Sequence, residues 1–264
     1  MDLDDHDRGL AFDLATLVSR RGVLLLGAGV GLATLAGCTS KPKPAGTAAA
    51  ETGSAAACVE IPEETAGPFP GDGSNGPDVL TQSGIVRTDI RSSFAGPSGT
   101  AAGVPLTIAL TVVDQTAGCA GRSGAAIYVW HCDRDGQYSM YSQGVTDQNY
   151  LRGVQQTDNT GRVRFTSIFP GAYSGRWPHI HFEVYPSLSA ATSAGSKPRT
   201  SQLALPEAAC KLVYATNGYS QSMTNLAQTS LASDNVFSDG WDHQLATVTG
   251  TVTTGFTAAL TVPV

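Results

Sequence analysis

Basic clusters are absent from this 264-residue chain: 16 Lys and Arg stand against 22 Asp and Glu, the formal net charge is −6, and no run of cations occurs. A nucleic-acid backbone, which needs clustered Lys and Arg to neutralise its phosphates, is thereby excluded as a partner. Charged residues make up only 14% of the chain, which excludes long charged helices. A polytopic membrane protein is excluded as well, because a single long uncharged stretch exists, at 22–40. Histidine is scarce, at five residues. What the chain has instead is 30 Gly and 14 Pro with abundant Ala and Thr, the composition of strands and turns. Its 41% apolar content is enough to bury a substantial core, and all-β sandwiches of about this length commonly form one domain.

The uncharged stretch reads as an address. Ser19-Arg20-Arg21 precedes a Gly-rich apolar segment that ends Leu35-Ala36-Gly37-Cys38. Glycine weakens a helix, and the segment lacks the roughly 20 firmly apolar residues a bilayer span requires. The arginine pair resembles a bacterial twin-arginine signal. Leu35–Cys38 resembles a lipoprotein box, which would make Cys38 the lipidated first residue of the mature chain. The expected organisation is a signal peptide at 1–37, a flexible Ala/Gly/Pro/Ser tether at 38–57 and one folded domain at 58–264. The protein is thus expected outside the cytoplasm, as a bacterial cell-surface or periplasmic lipoprotein touching the membrane only through its anchor.

Four cysteines follow Cys38: Cys58, Cys119, Cys132 and Cys210. An even number in an exported protein suggests two disulfides with three possible connectivities. Cys119 and Cys132 flank an expected strand pair, which favours Cys119–Cys132 and leaves Cys58–Cys210. Strand signals dominate the domain, at 104–113, 125–130, 162–167, 179–185 and 201–205, with a terminal hairpin over 246–252 and 256–262. Alternation is clearest at Leu106, Ile108, Leu110 and Val112. A helical turn is expected at 222–231. The fold class is all-β: an antiparallel β-sandwich with long loops and little helix.

Chemistry concentrates between 130 and 202. His179-Ile180-His181 lies in a strand pattern, so both imidazoles point to one face and can reach a single metal ion. Upstream, Tyr138 follows a Gly136 turn and Tyr173 follows Pro170-Gly171. Both phenols therefore stand at strand-to-loop boundaries, where sites are commonly built. Zinc fits such a set poorly, because no Cys stands beside the His pair and Tyr is an uncommon zinc ligand.

In order and spacing, several blocks resemble the intradiol ring-cleavage dioxygenases, above all their small secreted members. They are Trp130-His131-Cys132-Asp133 with Gly136, Tyr138 and Ser139; Leu151-Arg152-Gly153-Val154; Ile168-Phe169-Pro170-Gly171 with Tyr173; Arg176 with His179 and His181; and Thr200-Ser201-Gln202-Leu203. Glu64 to Phe69 and Arg87 to Ile90 extend the likeness, which covers roughly residues 58–240. The helical dimerisation region of catechol 1,2-dioxygenases has no counterpart at 39–57. The resemblance implies a non-haem Fe(III) cofactor held by Tyr138, Tyr173, His179 and His181. Hard ferric iron suits anionic phenolates completed by two imidazoles. It implies substrates of the catechol type, cleaved with O2 between the two hydroxyl-bearing carbons to muconate-type diacids. Tyr173 would leave the metal and help take up substrate protons, and Arg176 would stabilise negative charge near the ring. Gln202 and Phe69 would contribute to the substrate pocket.

Trp177, between Arg176 and the His pair, departs from the Arg-Pro-Ala common in the soluble enzymes, and its bulk is expected to reshape the pocket. His131, Cys132 and His243 fall outside the ligand set, and Asp234-Asn235-Val236-Phe237 reads as a loop packing on the sandwich. Two other readings compete: a non-catalytic β-sandwich binding lipoprotein, and a cupin-like metal enzyme. The first has no need of the Tyr/Tyr/His/His set. The second would require a further Glu and His in a context that His243 lacks.

Overall fold

Along β1 (Pro105–Asp114), Leu106, Ile108, Leu110 and Val112 are all at most 2% exposed, while Pro105, Thr107, Ala109 and Thr111 between them are half-buried or exposed. Burying each such side chain stabilises the fold by about 1.5–3 kcal/mol. The computed structural model describes residues 58–193 and 199–264. The leader and tether expected at 1–57, Cys38 included, lie outside the described residues. Two sheets build the domain. In the first, β1 pairs antiparallel with β2 (Ala120–Gly121) and β5 (Arg162–Ile168) on one side. On its other side it pairs parallel with β9 (Gly255–Pro263), which forms the terminal hairpin with β8 (Thr247–Thr251). The second sheet has the order β4 (Arg152–Gln156), β3 (Ala126–Trp130), β6 (His179–Tyr185) and β7 (Arg199–Ala204). The helices are short: α1 (Leu188–Ala191), α2 (Glu207–Tyr214) and α3 (Ser220–Leu226). The all-β sandwich class holds; the β1–β9 pair is a parallel exception within it.

Strands β3 and β6 are buried on both faces. Ile127, Val129, Ile180, Phe182 and Val184 point into the core between the sheets. The alternate residues, including Tyr128, Trp130 and Tyr185, meet a second apolar cluster with Val79, Leu80 and Ile85 from the N-terminal loops. Period-two geometry thus sends His179 and His181 to the face away from the sandwich core, under the segment around Gly67.

The expected disulfides are corrected. Cys58 is bonded to Cys119, with Cα atoms 5.9 Å apart, while Cys132 and Cys210 are buried thiols. Cys119 and Cys132 do not flank a hairpin, because β2 joins the first sheet and β3 the second. Cys58 instead reaches Cys119 because its segment runs beside the end of β9, where Ile61 N–H donates to the Pro263 carbonyl. Cys210 is carried on the inner face of α2, in the main core.

Candidate metal centre

Four polar atoms from three segments converge around His179. Its Nε2 lies 3.0 Å from His181 Nε2, 3.2 Å from Tyr173 Oη and 3.4 Å from Tyr138 Oη. Both histidines and Tyr138 are 2% exposed; Tyr173 is partly buried. The structure therefore brings together all four residues singled out from the sequence.

Local backbone chemistry sets each one. Asp133 Oδ1 accepts the N–H groups of Asp135 and Gln137, and Gly136 (φ 79°) completes the turn that delivers Tyr138. Tyr138 N–H donates to Ser142 Oγ. The Tyr173 segment is pinned from α3, where Ser222 Oγ accepts from Ala172 N–H and Asn225 Nδ2 donates to the Ala172 carbonyl. His179 Nδ1 is 2.5 Å from the Trp177 carbonyl, which can only accept. That contact holds the proton on Nδ1 and leaves the Nε2 lone pair facing the cluster. His181 is stacked flat on Trp130, with centroids 4.9 Å apart and planes 6° from parallel. On its edge lies Gly67 (φ 69°), where a Cβ would stand 3.4 Å from His181 Cε1.

The electrostatics suit a cation. Burial, assisted by Arg176, pushes His179 below its ordinary pKa; burial and the neighbouring His179 do the same to His181. Both rings are thus neutral lone-pair donors. Burial, with the neighbouring Tyr173 adding to it, raises Tyr138 well above its ordinary value; burial raises Tyr173 as well, although Arg176 pulls Tyr173 the other way. Phenols so buried ionise only against a strong positive charge. Two latent phenolates and two oriented imidazoles at one buried point fit a hard, highly charged ion such as ferric iron better than a thiophilic one.

Arg176 and Gln202 stand beside this cluster. Arg176 is 7% exposed; its Nε donates to Asp234 Oδ2 at 2.9 Å and its Nη2 to Gln202 Oε1 at 2.7 Å. Gln202, opposite His181 in the β6–β7 register, donates from Nε2 to the Thr65 carbonyl. Phe69 lies against Tyr138 with ring centroids 5.0 Å apart, and against Tyr141 at 5.3 Å.

Two positions nearby differ from what the sequence led one to expect, and a third, Arg152, was given no role there. The indole of Trp177 packs in the main core and donates to the Leu205 carbonyl, so what it contributes to the centre is backbone rather than bulk. Asp234, read as part of a packing loop, is fully buried and bonded to Arg176. Arg152 is 1% exposed and donates to the carbonyls of Phe69, Pro70 and Ser139, tying the Phe69 segment to the stretch that carries Tyr138. Its place in the Leu151–Val154 block was the available signal. His243 lines a groove beside the Cys58–Cys119 bridge and belongs to a different part of the molecule.

Residues 75–183 match the model of a protein family described as Dioxygenase, a span that contains all four converging residues and Arg176. A chlorocatechol 1,2-dioxygenase of Rhodococcus opacus is 32% identical over 100 residues, which cover 31% of this chain and 36% of that protein. The matched stretch thus spans about a third of that relative's length. An intradiol ring-cleavage dioxygenase from Tetranychus urticae superposes with a TM-score of 0.57 at 23% identity, over 69% of this chain and 87% of that one. The two share a fold.

Proposed function

We propose that this chain, a member of the intradiol ring-cleavage dioxygenase family, is a non-haem Fe(III) enzyme that opens catechol-type rings between their two hydroxyl-bearing carbons with O2, giving muconate-type diacids. The observation that carries the reading is the meeting of Tyr138, Tyr173, His179 and His181 at one buried point. Those four residues would hold the iron; when bound, ferric iron supplies Lewis-acid activation of a catechol attached through its oxygens.

The chain's own groups then have distinct tasks. Tyr138, the more deeply enclosed phenol, serves as a permanent anchor. Tyr173, partly exposed and under the influence of Arg176, would hold the ion less firmly and is the phenol whose Oη could take a substrate proton. His179 cannot act as a proton acceptor through Nδ1, which is committed to the Trp177 carbonyl. Arg176, neutralised on one side by Asp234, offers positive charge to the anion that develops on the ring. Phe69 presents an aromatic face next to Tyr138 on which a flat diol can pack.

The same reading places the enzyme outside the cytoplasm, exported through its arginine-pair leader and held to the membrane only by lipid on Cys38. The Cys58–Cys119 disulfide supports export, since reducing cytosol does not preserve such bonds. The partners are then a small aromatic diol and O2.

The test is a visible spectrum with metal analysis of aerobically purified protein, before and after ferric reconstitution and then with catechol. Expected are stoichiometric iron, a tyrosinate-to-iron colour, a spectral change on adding catechol, and incorporation of both atoms of labelled O2 into a ring-opened acid. Tyr138→Phe should lose iron or colour, whereas Tyr173→Phe should lose activity while retaining metal. Wild-type protein that stays colourless and iron-free after reconstitution refutes the proposal.

A further inference from the structure

Asp234 sits in the stretch after α3, far from the His pair in sequence, and is 0% exposed. Its carboxylate accepts four hydrogen bonds. Oδ2 takes Arg176 Nε at 2.9 Å and Trp177 N–H at 2.6 Å; Oδ1 takes Val236 N–H at 2.9 Å and Phe237 N–H at 3.2 Å. The two contacts on Oδ1 are those of a local turn and would suffice to shape the loop. The two on Oδ2 are long-range and reach both the side chain of Arg176 and the next peptide. That residue's carbonyl, Trp177 O, fixes His179 Nδ1, and the Arg176 guanidinium continues to Gln202 and the Thr65 carbonyl. Burial would push the Asp234 carboxyl up, but the Arg176 charge and its hydrogen bonds outweigh it and hold the group below the ordinary carboxylate value.

The geometry points to Asp234 as the residue that positions Arg176, fixing the direction of its guanidinium and balancing its charge beside the Tyr/Tyr/His/His cluster. Besides Asp234, the phenols of Tyr173 and then Tyr138 bear on the Arg176 charge. Without Asp234, the guanidinium would be drawn toward the Tyr173 phenolate, competing for the oxygen meant for metal or substrate proton. This inference rests on the ring-cleaving reading, with Arg176 as the catalytic residue and Asp234 acting through it.

Asp234→Asn keeps the size and one acceptor oxygen and removes the charge. Steady-state turnover of catechol by the ferric-loaded wild type, D234N, R176Q and the double variant forms a cycle that isolates the coupling. D234N should lower kcat by about tenfold to a hundredfold, the range for a misplaced catalytic group, with KM moved by less than about threefold. In the R176Q background the same change should alter kcat by less than about twofold. Equal losses in both backgrounds overturn the inference, because Asp234 would then act through the fold and not through Arg176. Should D234N fail to fold, D234E carries the comparison: it keeps the charge but displaces the guanidinium, so kcat falls in the wild-type background only.

An arm independent of turnover follows the Arg176 Nε–H signal by nitrogen-15 NMR in the purified protein before metal is added. The signal should be absent in R176Q, slow to exchange with solvent in the wild type, and at least about tenfold faster in D234N. Unchanged exchange in D234N overturns the inference. If the wild type itself does not turn over catechol, the ring-cleaving reading fails while this arm still decides whether Asp234 holds Arg176.

Discussion

Replacing Arg152 by Met is a severe test of how the Phe69 and Tyr138 segments are held together. Arg152 Nη1 donates to the Pro70 carbonyl at 2.7 Å and to Tyr128 Oη at 3.1 Å; Nη2 donates to the Phe69 carbonyl at 3.0 Å and the Ser139 carbonyl at 2.9 Å; Nε donates to Ser139 Oγ at 3.2 Å. Met fills comparable apolar volume and donates nothing. Three of the acceptors keep another bond, since Tyr128 Oη still donates to the Pro70 carbonyl and Ser139 Oγ still donates to the Tyr150 carbonyl. The Phe69 and Ser139 carbonyls lose the contact that satisfies them. Each stranded buried carbonyl costs about 1–3 kcal/mol, partly offset because a guanidinium no longer has to be desolvated. The net expectation is a loss of about 2–4 kcal/mol. In urea that loss lowers the unfolding midpoint by roughly 1 M, for m values of about 2–3 kcal/mol/M. R152K, which keeps the charge but has three donors instead of five, should fall between wild type and R152M. A midpoint shift below about 0.3 M for R152M would show that the five contacts contribute little and that the segments are held by packing alone.

Three further outcomes follow from groups outside the cluster. Removing the Cys58–Cys119 bridge, which closes a loop of 61 residues, should destabilise the domain by about 4 kcal/mol on loop-entropy grounds. Mass mapping should find that bond intact, while burial, which pushes both thiols up, keeps Cys132 and Cys210 unreactive to thiol reagents until the protein is unfolded; a Cys132–Cys210 or Cys58–Cys210 bond contradicts the structure. Glu64, raised to about 8 by burial and then by Asp239, binds its proton more tightly in the folded state than in the unfolded one. Its contribution is therefore complete below the ordinary carboxylate value of 4.5 and is lost as pH rises toward 8. Glu64→Gln should flatten the decline in melting temperature over that window, and an unchanged profile refutes the assignment.

The sandwich was legible wherever one face of a strand is apolar and the other is not, as in β1 and the terminal hairpin. The His pair was legible because period two forces both rings to one side, and the phenols because Gly136 and Gly171 mark the turns that deliver them. Strand β4 was not legible: Arg152-Gly153-Val154-Gln155-Gln156 shows no alternation, and a buried arginine carries no hydropathy signal. Asp234 was missed for a related reason, since Ser-Asp-Asn reads as a surface turn until its long-range partners are in place. The disulfide was not legible because adjacency in sequence is not adjacency in one sheet: the chain switches sheets between β2 and β3.

The parallel seam between β1 and β9 has a bearing on how the protein is made. Leu106 lies opposite Phe256, so the interior of the first sheet waits for a partner synthesised 150 residues later, the difference between those two positions. At about 5–20 residues per second on the ribosome, the delay is roughly 8 to 30 seconds. Throughout it, β1 presents an open, apolar, hydrogen-bonding edge of the kind that recruits other chains. Deleting β9 would remove the middle of a sheet and not a fringe.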